Sequence, residues 1–234
     1  MSRGICLVGL GPHAKRIYYR YIVHEVTGGS LMFDSLIELS SRKVDVDEFF
    51  LDKEIKPTHI VFADETHQRN PEVLDPHVQA SLNKAIDEKR IQCAIVATEP
   101  KAHKIYIDYF LKHNIPVLTD KPLTAPVGSN YDINSAEKIF SDAVELSDLS
   151  TKYKTPLYVQ VQRREHPAYI RLFEKITRIV EEYRLPITFF DIYIILMAHG
   201  VCQKSFLHER IIRTNTDMEN LCTRGITLLI SSHG

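Results

Sequence analysis

Short apolar runs alternate with segments of helical period along most of this chain. Ile5-Cys6-Leu7-Val8, Ser35 to Ser40, Ile60 to Ala63, Cys93 to Ala97, Ile115 to Leu118 and Leu157 to Val161 have the length and composition of strands, several apolar enough to be buried on both faces of a parallel sheet. Between them lie helical patterns. Val78 to Lys89 is one, and Lys101 to Asn114 is a second, with Ile105, Tyr109, Phe110 and Leu111 on one face and Asn114 suited to the C-cap. Asn134 to Tyr153 is a third, with Ala136, Ile139, Phe140, Ala143, Val144 and Leu146 in a stripe and Asn134 or Ser135 at the N-cap; Ala168 to Tyr183 is a fourth. Strand-helix-strand units of this length imply right-handed crossovers, so the pattern predicts an α/β fold with a doubly wound parallel sheet.

Sheets of this kind bind ligands at the carboxyl ends of their strands, and three such ends carry suggestive residues. After Val8 comes Gly9-Leu10-Gly11-Pro12-His13-Ala14, a G-x-G-x-x-A turn followed by a segment beginning Lys15-Arg16-Ile17-Tyr18. Gly9 permits a tight turn, Gly11 lets a pyrophosphate approach the backbone, and Ala14 lets helix pack on strand, with the helix N-terminus facing the phosphates. The strand at Cys93 stops at Thr98-Glu99-Pro100, where proline cannot continue a ladder, and the next ends at Asp120-Lys121-Pro122. An ammonium at Lys121, beside a nicotinamide, could orient a hydroxyl substrate and stabilise charge on its oxygen during hydride transfer, with Asp120 holding or tuning it. The plainer alternative is an exposed Asp-Lys pair of little energetic weight.

Taken in order, Gly9 to Ala14, Thr98-Glu99-Pro100 with His103, and Asp120-Lys121-Pro122 resemble the Gfo/Idh/MocA family of oxidoreductases, over roughly residues 3–193. Asp120 stands where that family more often has Glu, keeping the charge and shortening the reach. The resemblance implies an N-terminal Rossmann domain that binds NAD or NADP through Gly9, Gly11, Pro12, His13, Ala14, Thr98, Glu99, Pro100, His103 and Lys121. It further implies Lys121 and Asp120 as catalytic residues, a sugar or polyol substrate, and self-association through a C-terminal sheet, which makes a homo-oligomer an expectation. In the family a strand and an Arg-x-x-Pro element border the substrate pocket. Arg164 and His166 are therefore candidate substrate contacts along with Lys121, a solvated basic turn being the alternative.

Cofactor choice turns on the end of the second strand. Ser40-Ser41-Arg42-Lys43 offers hydroxyls and cations suited to a 2′-phosphate, with Ser41 and Arg42 as contacts, whereas Glu38 inside the strand argues for NAD. The balance leans to NADP, and an ordinary solvated basic loop remains open.

The net charge of −1 gives no electrostatic reason to expect nucleic acid or an anionic membrane as partner. No apolar run approaches membrane-spanning length, and Met1 to Gly4 leads straight into a strand, so a cytoplasmic protein is expected. Four separated cysteines without C-x-x-C spacing suggest neither zinc site nor disulfide framework. His59, Asp64, Glu65, His67, Asp75 and His77 fit no compact zinc pattern either, and Thr66 to Pro76 reads as a surface loop beside the cleft.

The expected organisation is a Rossmann domain over residues 1–125, connecting helices and the start of an incomplete α+β substrate domain over 126–193, and an atypical tail over 194–234. Pro186 to Tyr193 reads as the first strand of the family's C-terminal sheet, after which the expected G-x-x-x-D-x-x-x-H helix is missing. The chain is about a hundred residues short of a usual two-domain member. A shifted reading frame of Thr216 to Ser231 permits G-Y-G-K-L-M-H-S-G-Y-H-F-I-D-L, similar to that helix, and Tyr193 to Phe206 permits Y-S-D-G-T-W-C-L-P-K-E-F. The expectation is a single-base insertion or deletion near codon 193, under which Cys202, Cys222, His199, His208 and His233 carry no ligand role. Three functions follow: an NAD(P)-dependent oxidoreductase acting on CH-OH groups of sugar-like substrates, a dinucleotide-binding protein without turnover, or a regulatory partner retaining only the fold.

Overall fold

In the computed structural model the described residues are 3–65, 73–161, 167–184, 190–192, 196–198, 201–203 and 209–211. Residues 1–161 form one compact unit and 162–234 a second. The first unit is built on six parallel strands in the order β3-β2-β1-β4-β5-β6, where β1 is Arg3–Val8, β2 Leu31–Leu39, β3 His59–Ala63, β4 Cys93–Val96, β5 Val117–Asp120 and β6 Leu157–Gln160. Strand order reverses between β1 and β4, the place where such sheets open a crevice. The doubly wound parallel sheet expected from the sequence is present.

Alternation along the strands explains why helices cover both faces. Ile5 and Leu7 join Tyr18, Tyr19 and Ile22 of helix α2 (Tyr18–Thr27) and Val46 and Phe50 of α3 (Lys43–Phe50) on one side. Cys6 and Val8 point the other way, to α4 (Pro76–Asp87), α5 (His103–Lys112) and α6 (Ile133–Tyr153), through residues such as Leu82, Phe110 and Leu146. The short helix α1 (Pro12–Arg16) precedes α2.

Two features of β2 depart from the sequence reading. The strand starts at Leu31 instead of Ser35, because Arg3, Gly4 and Ile5 pair with Leu31, Met32 and Phe33. Its register then slips by one residue, Ile5 opposite Phe33 but Cys6 opposite Ser35, which leaves Asp34 as a bulge. The slip puts Phe33 and Leu36 on the same face although they are three positions apart. Bulged Asp34 is 1% exposed, and Arg90 Nη1 donates to both its oxygens at 2.9 Å. The basic segment after β2 is a 3-10 turn, Ser40–Arg42, feeding α3, and not a plain loop.

Helix ends are set locally. Asp75 caps α4, its Oδ1 accepting from the amides of His77 at 2.7 Å and Val78 at 3.2 Å, while its Oδ2 accepts from the amide of Asp64 at 2.8 Å. Asp132 caps α6 by accepting from the amide of Ser135 at 2.8 Å. Asn114, expected at the end of α5, has φ +59, the left-handed conformation that stops a helix.

Among its described residues the second unit contains helix α7 (Pro167–Tyr183) and four three-residue strands. Phe190–Ile192 (β7) pairs antiparallel with Glu209–Ile211 (β10), and Leu196–Ala198 (β8) with Val201–Gln203 (β9). Arg164 and His166 lie outside the described residues, as do most of residues 194–234. Among the described residues no helix is long and apolar enough to cross a membrane.

Candidate functional site: a cleft at the strand ends

Gly9 makes the turn after β1 possible. Its φ is +90, and a Cβ there would lie 2.7 Å from the carbonyl oxygen of Ala97 and 2.9 Å from the amide nitrogen of Thr98. Only glycine lets the chain pass that close to the end of β4. The Gly9 amide donates to the carbonyl of Ile37 at 2.8 Å, joining the turn to β2 as well. Gly11 has the opposite surroundings, since a Cβ there would meet nothing within 4 Å. It faces open space. Ala14 is buried beneath, against the core under α2.

That space is a cleft of about 410 Å³ at the switch point of the sheet. The expected residues Gly9, Gly11, Pro12, His13, Ala14, Arg42, Thr98, Glu99 and Asp120 line it, and the structure brings them together from four strand ends. Ser41, Pro100, His103 and Lys121 are not among its lining residues. Ser41 and Lys121 are exposed at its periphery, and His103 is fully buried.

Glu38 is the residue that the sequence reading left undecided. It is the residue before the last of β2 and places a buried carboxylate in the cleft wall. Its Oε2 accepts from the Leu10 amide at 2.7 Å and its Oε1 from the Leu39 amide at 2.9 Å. Charge-assisted bonds of this kind hold the glycine turn in place, and each carboxylate oxygen keeps accepting capacity beyond its one amide. Arg42 is paired with Asp45 at 3.2 Å.

Asp120 occupies the floor. Its Oδ1 accepts from the Lys121 amide at 2.8 Å, and its Oδ2 lies 3.5 Å from His13 Nε2, an ion-pair distance without hydrogen-bond geometry. Burial, and then the neighbouring Asp120 carboxylate, push the Tyr18 phenol well above its ordinary range. The carboxylate therefore engages the peptide of Lys121 rather than its ammonium, for which the described residues show no ion pair. The Lys121–Pro122 peptide bond is cis.

His103 links the turns that follow β4 and β5. Its Nε2 is 3.0 Å from the carbonyl oxygen of Thr98 and its Nδ1 3.0 Å from that of Pro122. Burial holds its pKa below the ordinary imidazole value, against the opposing pull of those carbonyls and of Asp120. Among the described residues no group of three or more histidine, cysteine or acidic side chains converges on a metal-sized space.

With this geometry in hand, comparison with known proteins places the fold. Residues 47–147 match the model of the Gfo/Idh/MocA oxidoreductase family, described as having an NAD-binding Rossmann fold. Among solved structures, the WlbA (WbpB) dehydrogenase from Thermus thermophilus, in complex with NAD and alpha-ketoglutarate, is 19% identical with a TM-score of 0.51, over 75% of this chain and 47% of that one. The WlbA dehydrogenase from Bordetella pertussis, in complex with NADH and UDP-GlcNAcA, is 12% identical with a TM-score of 0.50, over 81% and 45%. This chain thus spans just under half the length of those proteins. No curated protein matches by sequence. The matched stretch holds Thr98-Glu99-Pro100 and Asp120-Lys121-Pro122, two of the three motifs that carry the resemblance to that family, while the glycine turn lies ahead of it; the first unit is a Rossmann-like α/β fold similar to those structures.

Proposed function

We propose that this protein is an NAD-dependent oxidoreductase acting on a CH-OH group of a sugar-like or polyol substrate, with Lys121 assisting the reaction. The observation that carries the proposal is the cleft itself: an open space in front of Gly11, a buried carboxylate at the end of β2, and Thr98 and Asp120 at the ends of β4 and β5. Those features suit a dinucleotide laid across a switch point. Bound there, the nicotinamide would supply the hydride acceptor or donor.

The chain's own residues divide the work. Gly11 leaves room for the pyrophosphate, and Glu38 accepts from ribose hydroxyls. Asp120 fixes the Lys121 amide, so that the exposed ammonium can lean over the cleft rim toward substrate oxygen. Electrostatic support of a developing alkoxide is the contribution expected of such a cation.

Glu38 also shifts the cofactor preference from NADP, the choice favoured by Ser41 and Arg42 in the sequence, to NAD. A 2′-phosphate would bring a second anion beside a buried carboxylate, and the cation nearest to answer it already pairs with Asp45. The two WlbA neighbours were solved with NAD or NADH, and one of them with a UDP-sugar acid, which adds sugar nucleotides to the substrates to be tried.

The test is a pair of assays: NADH titration by fluorescence, then reduction of NAD with a panel of polyols, free sugars and UDP-sugars. NADH binding with turnover that Lys121→Met removes, at unchanged NADH affinity, is the expected result. Turnover indifferent to that substitution would overturn the role of Lys121. Binding without turnover on any member of the panel would leave a dinucleotide-binding protein.

A further inference from the structure

We propose that His103 is a positioning residue: its two ring nitrogens set the separation of the two strand-end turns that present Thr98 and Lys121 to the cleft. The proposal rests on the cofactor reading of the cleft and on Lys121 as the reacting cation.

The geometry is specific. His103 opens α5, is 0% exposed, and lies between the turn after β4 and the turn after β5. Its Nε2 faces the carbonyl of Thr98 and its Nδ1 the carbonyl of Pro122, each at 3.0 Å. Both partners are backbone oxygens, which only accept, so the ring is the sole source of protons for the tie. Burial favours the neutral ring, which donates its one N–H to one of these carbonyls and packs against the other, so the ring spaces both turns without carrying a charge. The Thr119 hydroxyl, 3.4 Å from Nδ1, is the other polar side chain against the ring. The charged group facing it is Asp120 at the end of β5, itself next to His13.

A second tie runs alongside. The Ala125 amide donates to the carbonyl of Pro100 at 3.3 Å, again joining the turn after β4 to the turn after β5. The two turns are therefore held as one frame, with a titratable side chain at its centre. Thr98 lines the cleft and Lys121 follows Asp120 on its floor, so a shift between the turns moves a cofactor contact relative to the reacting ammonium. Displacements of about 1 Å between such groups are enough to lower rates by about a hundredfold.

Asparagine and glutamine separate positioning from mere stability. The amide nitrogen of His103→Asn falls near the place of Nδ1 and can serve Pro122, whereas that of His103→Gln reaches toward the place of Nε2 and can serve Thr98. The experiment compares wild type, His103→Ala, His103→Asn and His103→Gln by amide NMR, NADH titration and thermal unfolding. The expected result is side-specific: Gln restores the wild-type amide signals of residues 97–99, Asn those of residues 121–125, and Ala neither. NADH affinity should fall tenfold or more in the Ala variant and recover to within about threefold in the Gln variant only.

Unchanged amide signals and NADH affinity in His103→Ala would overturn the proposal. Equal loss in the Asn and Gln variants, in step with the fall in Tm, would also overturn it and leave a purely structural histidine. Wild-type protein that does not bind NADH, yet shows the side-specific amide pattern, would remove the nucleotide reading of the cleft and keep the tie.

Discussion

The backbone amide of Leu10 donates to Oε2 of Glu38 across 2.7 Å, so the turn after β1 and the end of β2 share one carboxylate. Removing that carboxylate should do two things at once. Glu38→Ala leaves the buried Leu10 amide without its partner, a loss of about 1–3 kcal/mol in urea unfolding. It should also weaken NADH at least tenfold in a fluorescence titration. Glu38→Gln removes the charge and keeps an oxygen for only one of the two amides, Leu10 or Leu39, so stability should fall less than in Glu38→Ala while the ratio of NADPH to NADH affinity rises.

The two glycines of the turn should respond differently to alanine. Gly9→Ala adds a Cβ that meets the carbonyl of Ala97 at 2.7 Å in a backbone at φ +90, so unfolding should become easier by more than about 1 kcal/mol. Gly11→Ala meets nothing within 4 Å and has φ −68, so Tm should stay within a degree or two of wild type. Its Cβ enters the cleft, and NADH affinity should fall. Parallel measurement of Tm and NADH affinity for the two variants checks the contrast.

At the other end of the sheet, Arg90 neutralises bulged Asp34, which is 1% exposed. Arg90→Ala strands that charge, and breaking a buried pair from one side costs about 3–5 kcal/mol. Urea unfolding should show the loss. NADH affinity below the unfolding transition should be unaffected, because neither residue lines the cleft.

His103 gives stability a pH dependence of known sign. Burial lowers its folded pKa from the ordinary 6.5, so the unfolded chain takes up the proton first as pH falls. Its contribution is present above the ordinary value and is lost on acidification through the lowered one. Urea midpoints measured from about pH 7 to about pH 5 should fall more steeply for wild type than for His103→Gln. Identical slopes would contradict this.

Much of the first unit was legible because its signals are local. The strands announce themselves as apolar runs, and Gly9, Gly11, Thr98 and Asp120 sit at strand ends that the topology must gather. What escaped is non-local or hidden by a single polar residue. Asp34 broke the apparent start of β2, because an acid inside a strand reads as its boundary until Arg90, 56 residues away, is seen beside it. Helix α3 went unread because its buried side consists of little more than Val46 and Phe50. The bond from Leu10 to Glu38 crosses 28 residues, and no spacing rule reports it. His103 was placed among cofactor contacts by resemblance, whereas the structure sets it beneath the cleft, where it reaches Thr98 and Pro122.

The central claim is that the cleft between the glycine turn, Glu38 and Asp120 holds NAD. Calorimetric titration of the wild-type chain with NADH, repeated on Gly11→Ala and Glu38→Ala, tests it most directly. Saturable one-site binding that both substitutions weaken, in folded protein, is the predicted result. Absence of binding by folded wild type, or binding that neither substitution changes, would contradict it.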